Sequence, residues 1–227
     1  MKNLLIIPLL LLIGCKKDVP VKPTETQVAA DSITQVFIDS TLIGVKGKYK
    51  LELKRIAGKD SVYADIYFFE KKGNKWIEKQ HFAFEQDDVA GCDPEYRDFN
   101  NDGFNDFTYV PILAARGANE VRSLFIFDPE LSILRYMKNS RNYPNLEYNK
   151  ELDCIDAFAV YGGSSSEFLK IETDSLRQFA RIDLFDGYRE VYKIDKTGKE
   201  TMIKRDPYES SQIRFKNFDP IEEYGDF

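Results

Sequence analysis

The chain has 227 residues, 43% hydrophobic and 31% charged, with 17 Phe, 13 Tyr, one His and three Cys. That much ring surface collapses in water and excludes a disordered tail, and the polarity excludes a multi-span membrane protein. A net charge of -6 argues against a nucleic-acid partner, because phosphate binding needs clustered positive charge.

At the start, Lys2 precedes the apolar run Leu4 to Ile13, broken only by Pro8. The run is too short to span a bilayer and has the length of a secretion signal's core. It ends in Leu12-Ile13-Gly14-Cys15, which resembles the lipobox of bacterial lipoproteins. The resemblance implies cleavage after Gly14 and lipidation of Cys15 by fatty acyl chains such as palmitate, each adding roughly 0.8 kcal/mol of membrane affinity per CH₂. The alternative is an ordinary secretory signal with a chance cysteine. Loss of residues 1–14 removes only Lys2, taking the net charge from -6 to -7. The expected location is the bacterial cell envelope, lipid-anchored, with the periplasmic or surface face of the outer membrane left open. Residues 15–34 carry Pro20 and Pro23 among polar residues and read as a flexible tether.

Residues 35–227 read as one β-rich domain. Lys48 to Lys54 alternates apolar and charged residues, the period of a half-buried strand. Val62 to Phe69 and Trp76 to Phe84 flank a polar, Gly73-containing loop and predict a hairpin. Further strands are expected at 104–110, 121–127, 133–137, 155–160, 168–171, 179–185, 190–194 and 200–203, with one helical turn open at 174–179. This spacing predicts an all-β, mainly antiparallel fold, a small propeller-like or sandwich domain. The tail from Phe215 is read as a final edge or a loose end.

The segment Asp98-Phe99-Asn100-Asn101-Asp102-Gly103-Phe104-Asn105-Asp106 places oxygen side chains at positions 1, 3, 5 and 9, with glycine at 6. Ca²⁺ takes six to eight hard oxygens, and alternate residues of a tight loop can point inward together. Asp98, Asn100, Asp102 and Asp106 are therefore the candidate metal ligands, with the carbonyl of Phe104 at position 7. Position 12 is Tyr109 rather than the Glu of an EF-hand. A structural Ca²⁺ is the expectation, and a polar turn that binds nothing is the alternative.

With Cys15 assigned to lipid, Cys92 and Cys154 form an even pair in an oxidising compartment. A bridge between them is expected, worth roughly 4 kcal/mol in the chain-entropy model; two buried free thiols are the alternative.

The stretch Tyr96 to Phe107, followed by Gly117-Ala118-Asn119 and Leu124-Phe125-Ile126-Phe127-Asp128, resembles a group of secreted bacterial proteins with one Asp-rich calcium loop, related to periplasmic inhibitors of invertebrate-type lysozyme and to immunity proteins against peptidoglycan hydrolases. The resemblance spans about residues 85–195 and implies a propeller-like β domain that plugs a hydrolase cleft. In such inhibitors a Ser-Gly-rich loop ending in Tyr enters the active site. Its counterpart here is Tyr161-Gly162-Gly163-Ser164-Ser165-Ser166-Glu167-Phe168, with Phe168 in place of the Tyr; a flexible hairpin loop is the alternative.

The expected function is thus a calcium-binding, membrane-anchored lipoprotein that binds and inhibits a basic cell-wall hydrolase, without enzymatic activity. The second reading is a structural or glycan-binding lipoprotein, using rings such as Trp76, Tyr161 and Tyr188. Among enzyme features, Asp87, Asp88, Asp93 and Glu95 offer paired carboxylates, but read better as a solvated loop. His81, the single imidazole, lies in a hairpin strand and reads as packed or surface-facing.

Overall fold

The structure is a computed structural model that describes residues 31–225. The secretion signal, Cys15 and most of the tether lie outside the described residues. No helix among the described residues is long and apolar enough to cross a membrane.

The chain is all-β, with every strand pair antiparallel. Strands β1 (Ser32–Asp39), β2 (Tyr49–Ala57), β3 (Val62–Lys72) and β4 (Lys75–Gln86) form a first sheet in sequence order. A second sheet holds β5 (Pro94–Arg97), β6 (Asp106–Ala114), β7 (Asn119–Asp128) and β8 (Ile133–Tyr136). The third is the largest: β9 (Glu147–Asn149), β10 (Cys154–Val160), β11 (Ser164–Glu172), β12 (Ser175–Phe185), β13 (Tyr188–Ile194) and β14 (Glu200–Pro207). A closing ribbon pairs β15 (Phe215–Phe218) with β16 (Ile221–Glu223).

The sheets stack because successive residues of a strand point to opposite faces. Along β7, Phe125 and Phe127 pack against Leu51, Ile66 and Phe68 of the first sheet. The alternate residues Leu124 and Ile126 meet Ile155, Ala157 and Leu169 of the third. The second sheet is therefore covered on both sides, and β6 and β7 carry near-continuous buried runs instead of a clean alternation. Aromatic rings dominate the first layer: Phe125 lies 5.0–6.5 Å from the rings of Phe82, Phe84, Phe107, Tyr109 and Tyr136. The third sheet turns its other face, Phe168, Ala180, Ile182, Leu184 and Val191, toward Phe215 of the closing ribbon.

The boundary of the tether changes, and two readings left open are decided. The tether gives way to β1 at Ser32, where the Thr34 hydroxyl donates to the carbonyl of Arg55. Residues 175–179 extend β12 instead of making a helical turn, since they pair with β11 as far as Ser175. The tail is ordered by packing, with Phe215 fully buried.

Candidate functional site

The oxygen-rich loop lies between β5 and β6 and ties the two large cores together. Phe99 packs into the core between the second and third sheets, and Phe104 into the core between the first and second. Its carboxylates are occupied by backbone amides. Asp98 accepts from Asp102 N at 3.2 Å and Gly103 N at 2.9 Å. Asp102 accepts from Phe104 N at 2.9 Å and from Asn100 Nδ2 at 2.9 Å. Gly103 turns the chain at φ +88°, a conformation that a side chain would strain.

Asp106 is fully buried, and its two oxygens accept from Phe99 N and Phe127 N, both at 2.8 Å. It is a pin that satisfies one amide in the loop and one in β7. Burial pushes its carboxyl up to about 7; Phe127 and Phe99 pull it down, and the charges of Asp102 and Asp98 add to the rise. The four predicted ligands thus share one neighbourhood, but Asp106 faces inward. Among the described residues no three His, Cys, Asp or Glu side chains converge as a metal-holding group. Each carboxylate retains unused lone pairs, so the side chains present are compatible with calcium without being arrayed around a vacancy for it.

Cys92 and Cys154 are not bridged. They are buried free thiols in separate cores, Cys92 between the first two sheets and Cys154 against the closing ribbon. Spacing in sequence cannot report which side of a stack a residue occupies. Cys92 donates to Gln86 Oε1 at 2.7 Å, and burial raises both thiols, Cys154 to about 12.

The Gly/Ser segment also differs from expectation. Ser164, Ser165 and Ser166 are buried residues of β11, paired with Val160, Ala159 and Phe158 of β10, and Phe168 is at the core's centre. They cannot enter a partner's cleft. Ser166 Oγ accepts from Phe215 N at 2.9 Å and so anchors the closing ribbon. Only Tyr161 and Gly162 are exposed. Gly163 is required by close approach: a Cβ there would lie 2.0 Å from the carbonyl oxygen of Leu184.

That close approach sets the turn beside the β12–β13 hairpin, whose Asp186 and Gly187 have φ +51° and +77°. Positive φ at both positions is the signature of a tight two-residue hairpin turn, which Asp-Gly favours. The result is a rim of outward rings: Tyr161, Phe185 and Tyr188 are 49%, 59% and 40% exposed. Tyr161 and Phe185 lie 6.4 Å apart, and the Arg205 guanidinium stands 4.4 Å over Tyr188. Sequence reasoning named Tyr161 and Tyr188 singly but missed Phe185, although the Asp-Gly pair between two strands marked the turn.

The other candidates are dispersed. Asp87 and Asp88 line an open cleft of about 420 Å³ with Asp60 and Glu85. Asp93 does not line that cleft, and Glu95 is taken up by Arg97 and Arg122. His81 is exposed on β4, stacked on Tyr67 at 4.3 Å and 3.4 Å from Asp65. Trp76 is half-buried between Lys50 and Lys71.

No family model matches the chain, and no curated protein matches it. A solved structure, described as a Xanthomonas Type IV secretion system related protein, is similar over 74% of this chain and 93% of its own, with a TM-score of 0.46 and 10% identity. A likeness at that level says nothing about function.

Proposed function

We propose that this chain is a lipid-anchored binding protein of the bacterial envelope that docks on a basic cell-wall hydrolase and blocks it without turnover of its own. The observation that carries the reading is the rim of Tyr161, Phe185 and Tyr188, held by the tight approach of Gly163 to Leu184. Rigid aromatic side chains lose little entropy on contact and are enriched at energetic centres of interfaces. The net charge of -6 complements a cationic hydrolase and speeds encounter. The contact surface differs from the one the inhibitor resemblance implies, because the serines are interior.

In this reading a calcium ion at Asp98, Asn100, Asp102 and Asp106 is structural and fixes the entry to β6. The support is the 1-3-5-9 spacing with Gly103 at its turn. Calorimetry of the full chain in detergent is expected to show calcium binding that Asp102→Ala abolishes; no heat up to millimolar calcium contradicts it.

The test of function is inhibition of a panel of lysozymes by the full chain, with peptidoglycan alone as the turnover control. Inhibition lost on Phe185→Ala with Tyr188→Ala supports the reading. Release of sugar from peptidoglycan by the chain itself overturns it. Exposed rings also suit sugar stacking, so binding to a glycan array without inhibition would move the assignment to a glycan-binding lipoprotein.

A further inference from the structure

Beneath the aromatic rim, Asp183, Phe185, Asp186, Tyr188, Glu190 and Arg205 enclose a cavity of about 130 Å³. Register places Ser165, Asp183, Glu190 and Arg205 in one row across β11 to β14, and the pleat turns them to the same face of the sheet. Three carboxylates and one guanidinium line the cavity, leaving it acidic. Arg205 is already placed: its guanidinium lies over Tyr188 and 3.2 Å from Glu190. The slot thus binds one basic side chain of its own chain between a ring and a carboxylate.

A second set of acceptors in the same place has no use within the fold. Asp186 is exposed and makes no hydrogen bond or ion pair among the described residues. Asp183 engages Arg181 Nε through Oδ2, at 2.7 Å, leaving Oδ1 spare. A planar guanidinium brings several donors and stacks on aromatic faces.

We infer that this slot receives a basic side chain, arginine above all, presented by a protein partner, beside the chain's own Arg205 and under the Phe185 and Tyr188 rings. The inference deepens the hydrolase-binding reading and rests on it for the partner's class. It names the chemistry that the rim selects.

The test titrates the full chain in detergent with acetyl-(Ala-Arg)₃-Ala-amide, its citrulline counterpart and chitotetraose. The arginine peptide is expected to bind and the citrulline peptide, which keeps the shape without the charge, is not. Asp183→Asn with Asp186→Asn should weaken the peptide by about tenfold or more. Asp87→Asn with Asp88→Asn removes the same charge at the distant cleft and should change it less than about twofold. Asp186→Asn alone touches no partner, so it reports on the slot even if the double variant is less stable. Equal loss in both double variants, equal binding of the citrulline peptide, or binding of chitotetraose in place of the arginine peptide overturns the inference. Peptide binding without lysozyme inhibition leaves the slot intact and overturns only the hydrolase reading; inhibition unaffected by the slot variants does the reverse.

Discussion

In the loop from Asp98 to Asp106 all three aspartates face backbone amides, whereas at the Phe185–Tyr188 turn Asp186 faces none. The two segments share the same composition of Asp, Gly and aromatic residues. In the first, the rings point into two cores and the acids complete the backbone's hydrogen bonding. In the second, rings and acids point outward and leave acceptors spare. A surface for a protein partner forms where the fold leaves rings and acids unconsumed; in the loop they serve the backbone first, with only spare lone pairs left for an ion.

Removing Asp106 attacks the consumed side of that comparison most directly. Asp106→Ala leaves Phe99 N and Phe127 N buried without an acceptor, and should cost about 2–6 kcal/mol at 1–3 per orphaned group. Urea unfolding measures it; a loss below about 1 kcal/mol would show that the pin is dispensable.

Next in size is Gly163→Ala. Its Cβ would meet Leu184's carbonyl oxygen at 2.0 Å, so the β10–β11 turn must lift from β12. The expected cost is about 2–4 kcal/mol, with a parallel fall in partner binding as Tyr161 moves from Phe185. Unchanged stability would mean that the turn is not held there.

A pH effect of about 3 kcal/mol comes from Glu167, beside the rim on the same face of β11. Burial, then the nearby Asp183, push its carboxyl up to about 7 from an ordinary 4.5, against the pull of Arg181. A carboxyl raised in the folded state contributes fully below its unfolded pKa, and the contribution is lost as pH rises through the folded one. Stability should therefore fall between about pH 4.5 and 7.5 by about 3 kcal/mol relative to Glu167→Gln, which lacks the titration. Parallel pH curves for the two proteins would refute it.

The smallest stability effect belongs to the rim. Tyr161→Ala or Phe185→Ala exposes little new surface and should shift unfolding by no more than about 0.5–1 kcal/mol. Binding, in contrast, should drop, since the rings contribute to contact and hardly to the fold.

Much of the architecture was legible because its strands alternate. In β2, Leu51 and Leu53 face inward between charged residues, and the Gly73 turn between β3 and β4 announces its hairpin. The short strands β5, β9, β15 and β16 carry weaker patterns, and neighbouring strands supply their register. Ser164 to Ser166 read as a loop because small polar residues have no apolar period; their place in the interior is set by β10, β12 and the Phe215 amide. The pairing of Cys92 with Cys154 failed for a related reason, since stacking order separates residues that sequence leaves equivalent. Phe185 was visible as the end of a strand, but a ring of that size reads as core, and its 59% exposure is set by packing that sequence does not report.

The most direct measurement is inhibition of a cationic lysozyme by the full chain and by its Phe185→Ala, Tyr188→Ala double variant at matched melting temperature. Inhibition by the wild type that weakens at least about tenfold in the variant is the predicted result. Equal inhibition by both, or none by either across the lysozyme panel, would contradict the assignment of this rim as the partner-binding surface.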